Sequence, residues 1–165
     1  MRRRDRQLSD KAALELLRQG VWGVLSLAGE NAYGVPMHYV LDDAGDAAWP
    51  DIFLHCAPEG KKLEHIRKNP GVCLCVVGKA RVAPEAFSTE YASVIVMARA
   101  AIVRDAGERR RILRLFGRHF TSFSLEEIDA YIAPRDARTC IVRLHPLQVS
   151  GKACNPPGTV KAPTA

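Results

Sequence analysis

The sequence predicts a mainly β, α+β fold: one antiparallel sheet with helices at its periphery. Six β-prone apolar runs recur within 165 residues, and turns rich in Gly, Asp, Asn or Pro join most of them. The helical patterns do not alternate strictly with these runs, which argues against a parallel α/β arrangement. No dinucleotide-type Gly-rich fingerprint and no internal repeat is present.

Taken in order, Ser9 or Asp10 caps a first helix to about Gln19, whose apolar stripe of Ala13, Leu14, Leu16 and Leu17 marks it as a lid and whose stop is Gly20. Residues 21–28 form the first strand, Gly29-Glu30-Asn31 turns the chain, and 32–41 form the second, so the pair reads as a hairpin. A turn at 42–46 and the Trp49-Pro50 break precede the third strand, 51–56. A helix from Lys61 must end near Asn69-Pro70, because the residue before a proline is pushed out of the α region. The fourth strand is 72–77. Residues 80–88, with Pro84, read as a connecting or edge segment, and 91–104 as a long central strand. Residues 108–120 place Ile112, Leu115, Phe116 and Phe120 at helical spacing opposite their arginines. Ser124-Leu125-Glu126-Glu127 is a capping box for a short helix ending before Pro134, and 139–149 is the last strand. One domain is expected over 1–152, followed by a flexible tail over 153–165.

The formal charge of +6 favours anionic partners. Much of that excess sits in Arg2, Arg3, Arg4 and Arg6 and in Arg109, Arg110 and Arg111, without interleaved aromatics for base stacking. These clusters read as solvated faces, and no nucleic-acid partner is expected. The five cysteines are odd in number and lack metal-ligand spacing, so no metal is expected, and Cys73 and Cys75, on one face of a strand, read as small buried thiols of a reduced protein. No run approaches the ~20 apolar residues of a membrane span, and no apolar signal core follows the basic N-terminus. A cytoplasmic protein without a membrane partner is the expectation.

The chemistry concentrates in DIFLHCAPEGKKLEHIRKNP, residues 51–70, where a strand delivers its end to a helix start. Backbone amides at such a start are unsatisfied donors with partial positive charge, and Lys61 and Lys62 add full charge beside them. A phosphate suits that position. Taken alone, a solvated turn with two surface lysines explains the same residues.

HCAPEGKKL (55–63), together with GVPMHYV (34–40), RKNPGVCLCVVG (67–78) and TEYASVIVMARA (89–100), resembles the pyridoxamine 5'-phosphate oxidase-related flavoproteins. Within them it is most similar to the branch of the 5-nitroimidazole resistance proteins, over residues 1–152 and in the family's order and spacing. The resemblance implies a six-stranded antiparallel split β-barrel that works as a homodimer, with flavin mononucleotide (FMN) in clefts between the subunits. It implies phosphate binding by Lys62, the lysine of the family's G-x-K turn; Lys61 stands where relatives often carry histidine and keeps the charge.

His55, Cys56 and Ala57 would meet the ribityl chain or flavin edge, His55 being the first residue of H-x-A-x-x-G-x-K and the candidate catalytic proton donor. Pro36, Met37 and His38 would line the isoalloxazine, although core packing explains Met37 equally well. Glu90 and Ser93, in T-E-Y-x-S, would approach the flavin or the dimer seam, although a strand-opening Glu is more often solvated. The implied activity is FMN-dependent reduction of a small electron-poor substrate, such as a nitroaromatic, with NAD(P)H or another external donor. The alternatives are a non-catalytic flavin- or haem-binding barrel, with His38 and His55 near one cleft, and a nucleic-acid adaptor using the arginine clusters. The chain is short and lacks the substrate-phosphate arginine motif of a pyridoxamine 5'-phosphate oxidase proper.

Overall fold

The computed structural model describes residues 3–29, 31–44 and 47–155. Its elements run α1 (Asp10–Gln19), β1 (Trp22–Leu27), β2 (Tyr33–Asp42), β3 (Asp51–Cys56), α2 (Lys61–Lys68), β4 (Gly71–Ala83), β5 (Ser88–Ile102), α3 (Ala106–Phe120), α4 (Leu125–Ile132) and β6 (Cys140–Cys154). The six strands close into an antiparallel barrel in the order β1-β2-β3-β6-β5-β4, as the resemblance implied. Closure removes the exposed sheet edges that an open sheet of this size would carry. From Pro156 onward, the expected tail lies outside the described residues, as do Arg2, Glu30, Gly45 and Asp46.

Alternation along each strand decides what fills the barrel. Leu25, Met37, Tyr39, Leu54, Leu74, Val96 and Leu144 point inward and are buried together. The α1 helix is the expected lid: Ser9 caps it, Ala13 and Leu17 are buried, and the Tyr39 hydroxyl donates to the Leu17 carbonyl at 2.6 Å. On the outer face a second apolar cluster forms where Ile112 and Phe116 of α3 cover Val40, Phe53 and Ile141.

Of the α3 arginines expected as a solvated face, Arg110 and Arg111 do remain exposed while Arg109 is mostly covered, and this side of the helix is also tied to carboxylates. Arg109 donates to Asp136 at 2.7 Å, Arg111 to Asp42 at 2.7 Å and Arg114 to Asp129 at 2.6 Å, which pins α3 to its neighbours.

Two strands run further than their apolar patterns. β4 continues to Ala83 because residues beyond Val77 leave the barrel and pair only with β5, so they need no buried face. The 80–88 segment is therefore mostly strand, closed by a turn in which the fully exposed Phe87 takes a left-handed φ of 47°. β6 continues to Cys154, and its Pro146 sits at the register shift opposite Met97 and Ala98, where a missing N–H is tolerated. Among the described residues no helix is long and apolar enough to cross a membrane.

Candidate functional site: two histidines, a lysine and an aromatic wall

The register of β2 and β3 ends on Tyr39 opposite Leu54. One residue further along each strand stand His38 and His55, both turned to the outer face because Tyr39 and Leu54 point inward. His38 lies with Nδ1 3.2 Å from the Val21 carbonyl, and since a carbonyl only accepts, that bond places the proton on Nδ1. From above, α3 presents Phe116 and Phe120 on one face at a spacing of four residues. Phe116 meets the His55 ring edge-on at 4.7 Å, Phe120 meets His38 at 5.3 Å, and the two phenyl rings lie 6.1 Å apart. His119 approaches Phe120 at 4.7 Å. Burial lowers the His55 pKa below the ordinary imidazole value, and the like charges of His38 and Lys62 act in the same direction. Both effects favour the neutral imidazole of His55.

Immediately past His55, β3 ends and the chain turns through Gly60, whose φ of 121° is a conformation essentially reserved for glycine. Ser9, Asp105 and Ser124 cap α1, α3 and α4 through their side chains, whereas Gly60 offers α2 no such cap. The Leu63 and Glu64 amides both reach the Gly60 carbonyl, leaving the amides at the very start of α2 with the partial charge and orientation that suit an anion.

The two lysines there diverge, as residues 100° apart on a helix must. Lys62 is half-buried and acts electrostatically on His55 and on Cys140. Lys61 is exposed, stands 4.6 Å over the Tyr33 ring, and lines a separate hollow with Ala28, Gly29 and His65.

Between α3, α4 and the end of β3 lies an apolar cavity of about 510 Å³, with His55, Phe116, Phe120, Phe123 and Tyr131 in its walls. Such a volume and lining suit a small, flat molecule. Arg135 stands at its margin, stacked 3.9 Å over Tyr131 and donating to that residue's carbonyl at 2.9 Å; no carboxylate pairs with it among the described residues. A Cβ at Gly117 would lie 2.7 Å from Ile128, so this glycine sets how closely α3 and α4 approach behind the cavity.

Of the residues singled out in the sequence, the structure brings together His38, His55 and Lys62. The exposed Pro36 precedes His38 by two residues on the same face of β2, and the exposed Ala57 follows the end of β3. Met37 points into the barrel and is 9% exposed, and Cys56 turns inward opposite Cys140. Glu90 lies on the β4–β5 extension, where Lys79 donates to it at 2.5 Å and Arg81 at 3.0 Å, and these partners lower its pKa. Ser93, paired with Val77 on β4, is three strands from His38 within one chain, roughly 14 Å at the usual strand spacing. Sequence reasoning missed Phe116, Phe120, Phe123, Tyr131 and Arg135 as site residues. The only signal for the first two was their helical spacing, which core packing explains as well.

A profile of the family described as pyridoxamine 5'-phosphate oxidase matches residues 9–153, and the chain belongs to that family. Three solved structures share the fold. A candidate 5-nitroimidazole antibiotic resistance protein from Bacteroides thetaiotaomicron is 22% identical, with a TM-score of 0.68 over 89% of this chain and 86% of its own. A FAD-binding protein from Mesorhizobium loti is 24% identical, with a TM-score of 0.60 over 91% and 97% of the two chains. A FAD- and haem-binding protein from Mycobacterium smegmatis is 15% identical, with a TM-score of 0.75 over 93% and 77%. No curated protein matches the chain.

Proposed function

We propose that this protein is a cytoplasmic, homodimeric FMN-dependent reductase acting on small electron-poor aromatic substrates, with NAD(P)H or another external donor. The carrying observation is the junction of three features at the end of β3: the imidazole of His55, the half-buried Lys62 at the uncapped start of α2, and the aromatic wall of Phe116 and Phe120. These residues fit a flavin nucleotide, which needs cationic and amide donors at its phosphate end and flat apolar walls for its ring. Bound FMN would supply the redox chemistry. The chain's own residues would do the rest. Lys62 and the first amides of α2 would hold the phosphate, Lys61 adding charge from further off. The backbone of Cys56 and Ala57 would flank the ribityl chain, and Pro36, the Met37 backbone and His38 would face the ring.

The α3–α4 cavity ends on His55, so an acceptor seated there would have the imidazole at its reactive edge. A neutral His55 would orient the acceptor by donating a hydrogen bond from its ring N–H. The imidazolium formed when it takes a proton from solvent would be the species that hands a proton over.

The outer barrel wall supports the proposed dimer. Pro36, Val24, Cys75 and Ile95 form one cross-strand row, and Gly34, Ser26, Cys73 and Met97 the next. Neither row carries a charge, and Trp22 beside them is 54% exposed, so a second copy of this wall is the proposed cover. Glu90 and Ser93 would then reach the flavin from the second copy rather than from their own.

The test is an absorbance spectrum of the protein as purified, followed by FMN titration and anaerobic reduction in the presence of nitroaromatic acceptors. Bound flavin with substrate-dependent reoxidation supports the reading, whereas failure to bind added FMN refutes it. One observation favours a second reading, a haem carrier without turnover: His38, His55 and His119 all edge the Phe116–Phe120 pair, and the Mycobacterium smegmatis neighbour is a haem binder. A Soret band on haem addition, without NAD(P)H oxidation, would select it.

A further inference from the structure

β3 and β6 meet in a pair of thiols. Cys56 is the last residue of β3, Cys140 is the first of β6, and the two are register partners on the final rung of that ladder. Directly opposed residues on antiparallel strands point to the same face. Their Cα atoms lie about 4.5 or 5.5 Å apart, depending on the type of rung. Both separations fall within the window of about 4.4–6.8 Å that a disulfide spans. Both side chains are half-buried and pack against the barrel core, and both are free thiols here. Burial pushes the Cys140 thiol up to about 11, with charge and hydrogen bonding from Cys56 adding to it, while the cations Arg67 and Lys62 act against it.

The other cysteines are not placed this way. Cys73 and Cys75 face the same side of one strand, but each opposes an apolar residue of β5, Met97 or Ile95, rather than a thiol. Cys154 opposes Tyr91. The register therefore selects one pair from the five cysteines.

We propose that Cys56 and Cys140 form a reversible cross-strand disulfide that locks the end of β3 to the start of β6. The oxidant is a low-molecular-weight disulfide, RSSR. One protein thiol loses its proton and attacks a sulfur of RSSR, forming a mixed disulfide and expelling RS⁻. The second thiol loses its proton, and its sulfur displaces the remaining RS⁻. Two protein thiols are oxidised, RSSR is reduced, and the two protons leave on two RSH. A dithiol reverses the exchange. The turn at 57–60 leads from the locked rung to Lys62, so the redox state of the pair sets how firmly the cationic end of the site is held.

The test equilibrates the full-length protein across glutathione redox buffers and follows free thiols, intact mass and linked peptides. The expected result is a fall from five free thiols to three, a mass loss of about 2 Da, a Cys56–Cys140 peptide, and a rise in unfolding temperature of about 5–10 °C. Cys140→Ala, which keeps the site apolar, starts with four free thiols and should go no further than a mixed adduct on Cys56, with no intramolecular link and no such rise. Five free thiols at the most oxidising ratio, or a link through Cys73, Cys75 or Cys154, would overturn the proposal. A correctly linked protein that melts no higher would overturn the locking. FMN titration of both forms reads the consequence, which rests on the flavin reading, as a several-fold tighter binding when oxidised. If neither form binds FMN, the flavin reading fails while the thiol result stands.

Discussion

Replacing each of the two adjacent lysines at the start of α2 separates a built phosphate site from a merely basic turn. Lys62 is half-buried and within electrostatic reach of His55, whereas Lys61 is exposed and rests over Tyr33. A charge-assisted hydrogen bond to a phosphate contributes about 1.5–3 kcal/mol, and the partial exposure of Lys62 places it in the lower half of that range. At about 1.4 kcal/mol per tenfold, Lys62→Gln should weaken FMN binding by roughly 10–40-fold. Lys61→Gln removes only a screened charge and a surface cation–π contact, and should change affinity by about twofold. Quenching of FMN fluorescence on titration with protein measures both, and a rise in salt should narrow the gap. A readout without flavin exists as well. Lys62 helps to hold the His55 pKa down, so Lys62→Gln should move the imidazole titration upward by NMR while Lys61→Gln leaves it in place. Equal losses for the two variants, or a larger loss for Lys61→Gln, would refute the assignment.

The remaining expectations concern the scaffold around that site. Gly117→Ala gains about 1 kcal/mol in helix propensity, but its Cβ would press on Ile128 at 2.7 Å, and overpacking costs about 1–3 kcal/mol. The protein should lose stability in urea and the α3–α4 cavity should open; a net gain would show that the helices are not so close. Gly60→Ala meets no neighbour within 4 Å, yet at a φ of 121° it should cost about 1–3 kcal/mol by denaturant melts and weaken FMN binding with it. An unchanged midpoint would contradict that backbone conformation. Because the folded state lowers the His55 pKa, the unfolded chain binds the extra proton first as pH falls. The His55 contribution is therefore full above the ordinary value of 6.5 and is lost progressively below it. Denaturation from pH 8 to 5 should show that decline in the wild type and a shallower one in His55→Gln; identical slopes would rule it out.

Local signals in the sequence carried over well where neighbours in the chain supply the interaction. The Ser124–Glu127 capping box and the Ser9 cap are built from residues three positions apart, and both form as read. The strand-to-helix junction at 51–70 was legible for the same reason. The β4–β5 extension was not, because Pro84 and the charged Lys79, Arg81 and Glu90 look like loop residues. Lys79, Arg81 and Glu90 become strand by pairing across the hairpin, where opposite charges neutralise one another outside the barrel, and Pro84 opens the tight turn between the two strands.

The site was half legible. His38 and His55 were singled out on a resemblance, and only the β2–β3 register makes them neighbours. The difference between Lys61 and Lys62 depends on helix phase, which a pair of identical letters cannot show. Phe116 and Phe120 obey the helical period whether they fill a core or line a cavity, so periodicity could not assign them. Cys56 and Cys140 are far apart in the chain, and their pairing emerges only when β6 closes against β3.

Titrating FMN into the reduced, full-length protein, with fluorescence quenching and absorbance recorded together, tests the central claim most directly. One flavin per chain, a perturbed flavin spectrum, and loss of both in Lys62→Gln at matched concentration are the predicted results. Undiminished FMN fluorescence at all protein concentrations, with the protein folded and colourless, would contradict the account.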